Sequence, residues 1–147
     1  MYRLAVILHL IGATVWIGGH IVLSVSILPR ALKGKDPAPV RDFEQIYEPV
    51  GMTALVLQIL TGVWLTYQYM PEFPAWFSLD SAFSRGIVLK WTLLAMTLLL
   101  AVHARLTIHP KLGPDNLRSL AIHAIAVTVL SLLLLIVGVA IRTGGWL

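Results

Sequence analysis

The chain has no cysteine. That removes disulfides, all-cysteine iron–sulfur clusters and thiolate metal sites at once. Charge is scarce as well: 12% of the 147 residues are charged, and only seven of those are acidic. Internal repeats and low-complexity tracts are absent. With 58% hydrophobic residues and a mean hydropathy of +0.84, the composition excludes an ordinary soluble domain and points to a membrane protein.

Four stretches reach the roughly 20 apolar residues that a spanning helix needs: Leu4–Ile27, Pro49–Tyr69, Gly86–Arg105 and Leu120–Ile141. Little chain is left over, so residues 1–147 read as a single integral membrane domain. The expected fold is all-α, a four-helix transmembrane bundle in a lipid bilayer. Short connections make helices 1–2, 2–3 and 3–4 antiparallel neighbours, and a homodimer of such bundles is compatible with the pattern. The first stretch is too long for a signal-peptide core, holds two histidines and is read as retained. The polar stretch Val40–Tyr47 reads as a short interfacial helix. Asp115 or Asn116 is positioned to cap helix 4. Trp76, Trp91 and Trp146 suit the headgroup belt.

The net charge of +4 is unevenly placed. Arg30, Lys33, Lys35 and Arg41 follow helix 1, and Arg105, Lys111 and Arg118 follow helix 3. The other side carries Arg3, Arg85, Arg142 and, by depth, Lys90. This bias predicts both odd-numbered loops in the cytoplasm and both termini outside it. No aromatic or glycine-rich surface accompanies the basic residues, so a nucleic-acid partner is not expected.

Against this background the five histidines stand out. Four lie inside the apolar stretches, where an imidazole is costly without a partner. His9 and His20 are eleven positions apart, three turns on one face, and differ in depth by roughly 16 Å. Ala13, Trp16 and Ser24 fall near the same stripe. His20, His103 and His123 are expected in the cytoplasmic half and His9 in the outer half, near Lys90, Trp64 and Tyr67 in depth. His109 falls in a turn. Lys90 is about 140° around its helix from His103, so the two do not face one central site.

Two histidines at one depth on different helices are what a six-coordinate heme b needs. The candidate axial ligands are His20, His103 and His123, with His9 as a second metal or heme position, Trp16 and Lys90 as further cofactor-binding candidates, and Arg30, Arg105 and Arg118 available for the propionates. Such a heme has no open coordination position, which favours electron transfer with a redox partner over oxygen chemistry. The same imidazoles, His9, His20, His103 and His123, suit copper. Met52, Met70 and Met96 form no cluster, which tilts the balance toward heme and leaves copper open.

The run His9-Leu-Ile-Gly-Ala-Thr-Val-Trp16-Ile-Gly-Gly resembles the first helix of the CopD-like (copper-resistance protein D) superfamily, which includes the HemJ-type protoporphyrinogen oxidases. The resemblance continues through Leu28-Pro29-Arg30, Thr61-Gly62-Val63-Trp64-Leu65, Leu89-Lys90 and Leu98-Leu99-Leu100-Ala101-Val102-His103. It implies a four-helix inner-membrane protein linked either to heme and a porphyrin substrate or to copper handling. It also implies functional roles for His9, Lys90 and His103. Helix 4 departs from the HemJ-like pattern: Leu120-Ala-Ile-His123 stands where those proteins carry Asn-Glu-x-Pro. His20 lies outside the pattern too.

Overall fold

The computed structural model of the chain describes residues 1–144. Four helices, α1 (Tyr2–Gly34), α2 (Ala38–Tyr69), α3 (Ala82–Lys111) and α4 (Leu117–Thr143), are each long and apolar enough to cross a membrane. No strand occurs among the described residues. The fold is the all-α transmembrane bundle that the composition implies. One end of the bundle carries Tyr2, Tyr69 and Arg142, and is called the terminal end here. The other carries the two basic connections and is called the basic end.

Each helix runs past the apolar stretch that marks it. In α1 a π-turn, Leu23–Ile27, precedes Pro29. Its wider winding eases the clash between a proline ring and the carbonyl one turn back. The stretch Val40–Tyr47, expected as a separate interfacial helix, instead forms the first turns of α2, which continues through Pro49. Burial explains the difference. Val40 is fully enclosed at the basic end, and Tyr47 reaches back to α1, donating from its hydroxyl to the Trp16 carbonyl at 3.0 Å. Gly19 and Gly51 make room for its ring, since a Cβ on Gly19 would fall 2.1 Å from Tyr47 Cε2.

A capping box between Ser81 and Ser84 starts α3. At its far end α3 loosens into a second π-turn, Ala104–Ile108, and closes with the 3₁₀ turn His109–Lys111. Asn116 stands at the N-cap position of α4, yet its side chain does not cap the helix. It accepts from the Gly113 N–H at 2.9 Å and donates to the Lys111 carbonyl at 2.7 Å, tying the turn instead. The Arg41 guanidinium donates to the Leu112 carbonyl and links this turn to α2.

The packed pairs are α1–α2, α3–α4 and α1–α4. Helices α2 and α3, expected as neighbours, stand apart along their middles. They meet near their ends: Arg105 pairs with Glu48 at 2.9 Å and His109 with Glu44 at 3.0 Å on the basic side. Tyr69 meets Phe83, ring centres 5.4 Å apart, on the terminal side. The α1–α2 contact is close because a Cβ on Gly12 would lie 2.8 Å from the Ala54 carbonyl oxygen, a distance no larger residue accommodates without parting the helices. The consequence is a cleft between α2 and α3, floored by α1 and α4.

Trp76, expected at the headgroup level, is buried. Its indole N–H donates to the Met70 carbonyl at 2.7 Å, and its ring stacks on Trp91. The short 3₁₀ helix Phe73–Phe77 folds it over α3. Trp146 lies outside the described residues.

Candidate functional site

Two larger cavities lie between the helices, with a small one of about 70 Å³ beside His9 and Lys90. The largest, about 450 Å³, opens toward the terminal end and is lined mainly by apolar side chains of all four helices, with His9, Gln58, Lys90 and Arg142 among them. That volume lies in the usual range for a small-molecule site, about 300–1,000 Å³.

His9 enters from α1 opposite Gly62, where a Cβ would stand 3.1 Å from the imidazole Cε1. Its Nδ1 lies 2.9 Å from the Gln58 carbonyl and 3.1 Å from Thr61 Oγ1. A carbonyl can only accept, so Nδ1 carries the proton and Nε2 is left with a bare lone pair. Nε2 has no hydrogen-bond partner among the described residues. Lys90 enters from α3, with Nζ 3.6 Å from where a Cβ on Gly138 would sit, so it points inward to the cavity rather than out to the surface. Of the residues expected beside His9, Lys90 shares its cavity; Trp64 and Tyr67 do not line it.

At the mouth, Arg142 donates to the hydroxyls of Tyr69 at 2.7 Å and Tyr2 at 3.1 Å. These phenols lie 2.6 Å from each other. The cavity lining therefore contains two cations and no carboxylate. The Gln58 amide oxygen, Oε1, is buried with no donor facing it among the described residues. A buried acceptor left bare is costly, which makes it a marker for a ligand donor.

Trp16 forms the inner wall. It is 6% exposed, and its indole N–H donates to Ser131 Oγ, itself 1% exposed, at 3.0 Å. On its far side lies the second cavity, about 370 Å³, toward the basic end, lined by His20, Tyr47, Glu44, Glu48, Arg105 and His109 together with apolar residues. The sequence-predicted face shared by His9 and His20 is thus split by Trp16, one histidine in each cavity. His20 donates from Nδ1 to the Trp16 carbonyl at 2.9 Å. Its own carbonyl accepts from Thr128, which also bonds Ser24.

The expected triad does not assemble. His103 and His123 come together on an outward face of α3 and α4, with Nδ1 of the first 2.9 Å from Nε2 of the second and the rings stacked 4.9 Å apart. His123 Nδ1 donates to the Ser119 carbonyl at 2.8 Å, so its Nε2 accepts from His103 Nδ1–H. His20 belongs to the second cavity, separate from this pair. A heme with two histidine ligands takes them on opposite faces of the macrocycle, with the iron between the two nitrogens. Stacked rings joined by a direct hydrogen bond leave no room for it, and the His103–His123 arrangement does not fit a heme between them. Among the described residues no group of three His, Cys, Asp or Glu stands close enough to hold a metal ion.

The arginines expected near propionates divide likewise. Arg30 and Arg118 are exposed at the basic end, and Arg105 is taken up by Glu48. Arg142 was not among the candidates, and neither were Gln58 and Ser131. The first could have been found from depth, since it and Tyr2 fall at the same membrane level. Gln58 and Ser131 look like isolated polar residues until the packing shows what they face.

Residues 41–141 match the sequence pattern of the family described as Copper resistance protein D. No curated protein and no solved structure matches the chain.

Proposed function

We propose, since this chain belongs to the copper resistance protein D family, that this copper-resistance-type integral membrane protein is a redox protein whose terminal-end cavity takes a b-type heme. One observation carries the reading: a ligand-sized apolar cavity combines a histidine with a bare Nε2, two cations and no acid. A metal cation alone is repelled by Lys90 and Arg142. A flat apolar macrocycle with carboxylate arms is matched by them.

His9 would supply Nε2 as a ligand, its ring fixed by donation to the Gln58 carbonyl in the manner of metal-bound histidines. Lys90 and Arg142 would bind the carboxylates, and Trp16 with Ser131 would exclude water from the floor. Heme, when bound, supplies one-electron chemistry. A HemJ-like oxidase makes the same demand on this cavity, and rescue of a strain lacking protoporphyrinogen oxidase separates that alternative from electron transfer. Hemin titrated into the detergent-purified protein is expected to give a saturable Soret shift at one heme per chain. A spectrum that stays that of free hemin at every ratio would sink the reading.

A second reading, copper handling, is favoured by the family's description and by the His103–His123 pair. Two converging imidazole nitrogens suit copper and provide part of a coordination sphere. Copper retained on dialysis is then expected to fall in His103→Ala and His123→Ala and to persist in His9→Ala. Equal copper in all three removes the reading.

The charge bias supports placing the basic end in the cytoplasm and both termini outside it, and the family resemblance supports a bacterial inner membrane. Because the chain has no cysteine, single replacements report topology without background. Asp36→Cys should react with an impermeant maleimide only in inverted vesicles, and Asp80→Cys only in intact cells. The reverse pattern inverts the topology.

A further inference from the structure

We infer that the second cavity, at the basic end, binds a hydroquinone, the reduced form of a membrane quinone. Three features converge there. The first is access. The cavity lies in the cleft between α2 and α3, and its apolar wall is formed by Met52, Val102 and Leu106, which are 50%, 54% and 70% exposed. It therefore opens sideways among lipid-facing residues, and a ligand can enter from the bilayer itself.

The second feature is the chemistry of the wall. His20 donates its Nδ1 proton to the Trp16 carbonyl, so its Nε2 is a bare acceptor with no hydrogen-bond partner among the described residues. It sits between the rings of Trp16, 4.4 Å away centre to centre, and Tyr47, 5.9 Å away and edge-on. A flat ring bearing a hydroxyl fits such a wall: the ring meets aromatic surfaces and the hydroxyl donates to Nε2. Opposite, the Glu48–Arg105 pair offers both an acceptor and a donor for the second oxygen of the ligand. Mixed charge of this kind, with Arg105 and His109 beside Glu44 and Glu48, does not select a bare metal ion.

The third feature is the backbone. Both π-turns of the molecule border this cavity, Leu23 from the turn in α1 and Arg105 and Leu106 from the turn in α3. Each turn precedes a proline, Pro29 or Pro110, whose ring the wider winding accommodates, and each brings side chains of its helix to the cavity wall. Nothing in the heme reading uses them. A quinol here would give a redox protein a lipid-soluble partner on the opposite side of Trp16 from the larger cavity.

The test uses decylubiquinol and the purified full-length chain without added heme, so that it can succeed or fail independently of heme binding. Quenching of tryptophan fluorescence is expected to saturate at one decylubiquinol per chain. His20→Phe, which keeps an aromatic ring and removes the acceptor, should weaken binding at least about ten-fold, the scale of one lost hydrogen bond to a buried polar group. Met52→Trp, which fills the entrance from an exposed position, should weaken it similarly with unchanged folding. Lys90→Gln, in the other cavity, should leave it unchanged. Quenching that rises linearly with the detergent-phase concentration of the quinol, equal affinity in wild type, His20→Phe and Met52→Trp, or displacement by phospholipid alone would each overturn the inference.

Discussion

Trp16→Ala is expected to lower the stability of the bundle by about 3–5 kcal/mol, the range for truncating a large buried aromatic. The indole is almost wholly enclosed, packs with Ala13, Ile17, Leu55 and Val127, and donates to Ser131 across the α1–α4 contact. Removing it deletes those contacts, leaves the Ser131 hydroxyl without its donor, and joins the two cavities into one. Trp16→Phe retains most of the volume and loses only the hydrogen bond, so a smaller loss of about 1 kcal/mol is expected. Denaturation in mixed detergent micelles, followed by near-UV circular dichroism, measures both. An alanine variant as stable as wild type would show that Trp16 does not hold α1 against α4.

Lys90→Glu is expected to reduce hemin affinity by about 100-fold or more. Losing a charge-assisted bond to a carboxylate accounts for about 1.5–3 kcal/mol, and like-charge repulsion adds to it. The effect is specific to position. Lys33→Glu makes the same charge change at the exposed basic end and is expected to leave the affinity as it was. Lys90→Gln should fall between them. If Lys90→Glu and Lys33→Glu bind hemin equally, the inward lysine does not meet the ligand's carboxylates.

The bundle was legible in the sequence because spanning a bilayer imposes one solution on a long apolar run. The helix ends were less so. Val40–Tyr47 has the pattern of an interfacial helix, and only the fit of Tyr47 between Gly19 and Gly51 shows why it extends α2 instead. Helical periodicity placed His9 and His20 on one face, which the structure shows. Periodicity says nothing about a side chain standing between them, so Trp16 reads as packing until its position between two cavities is seen.

Depth also grouped His20 with His103 and His123. It cannot give the rotation of a helix about its axis, and that rotation turns the His103–His123 pair outward while His20 faces the second cavity. The family resemblance singled out His9, Lys90 and His103: the first two share the larger cavity, whereas His103, which the depth grouping also held, lies on the outward face with His123. The cavity's charge balance was illegible for a simpler reason. The chain's acids are few, and their exclusion from one cavity is a property of the packing.

The most direct test of the central claim is heme content, measured by the pyridine hemochrome spectrum, in His9→Ala and in the double variant His103→Ala/His123→Ala, after expression with heme supplementation. The terminal-end cavity predicts that His9→Ala loses the heme while the double variant retains wild-type content. Heme retained in His9→Ala and lost in the double variant would contradict it, and would move the site to the outward face of α3 and α4.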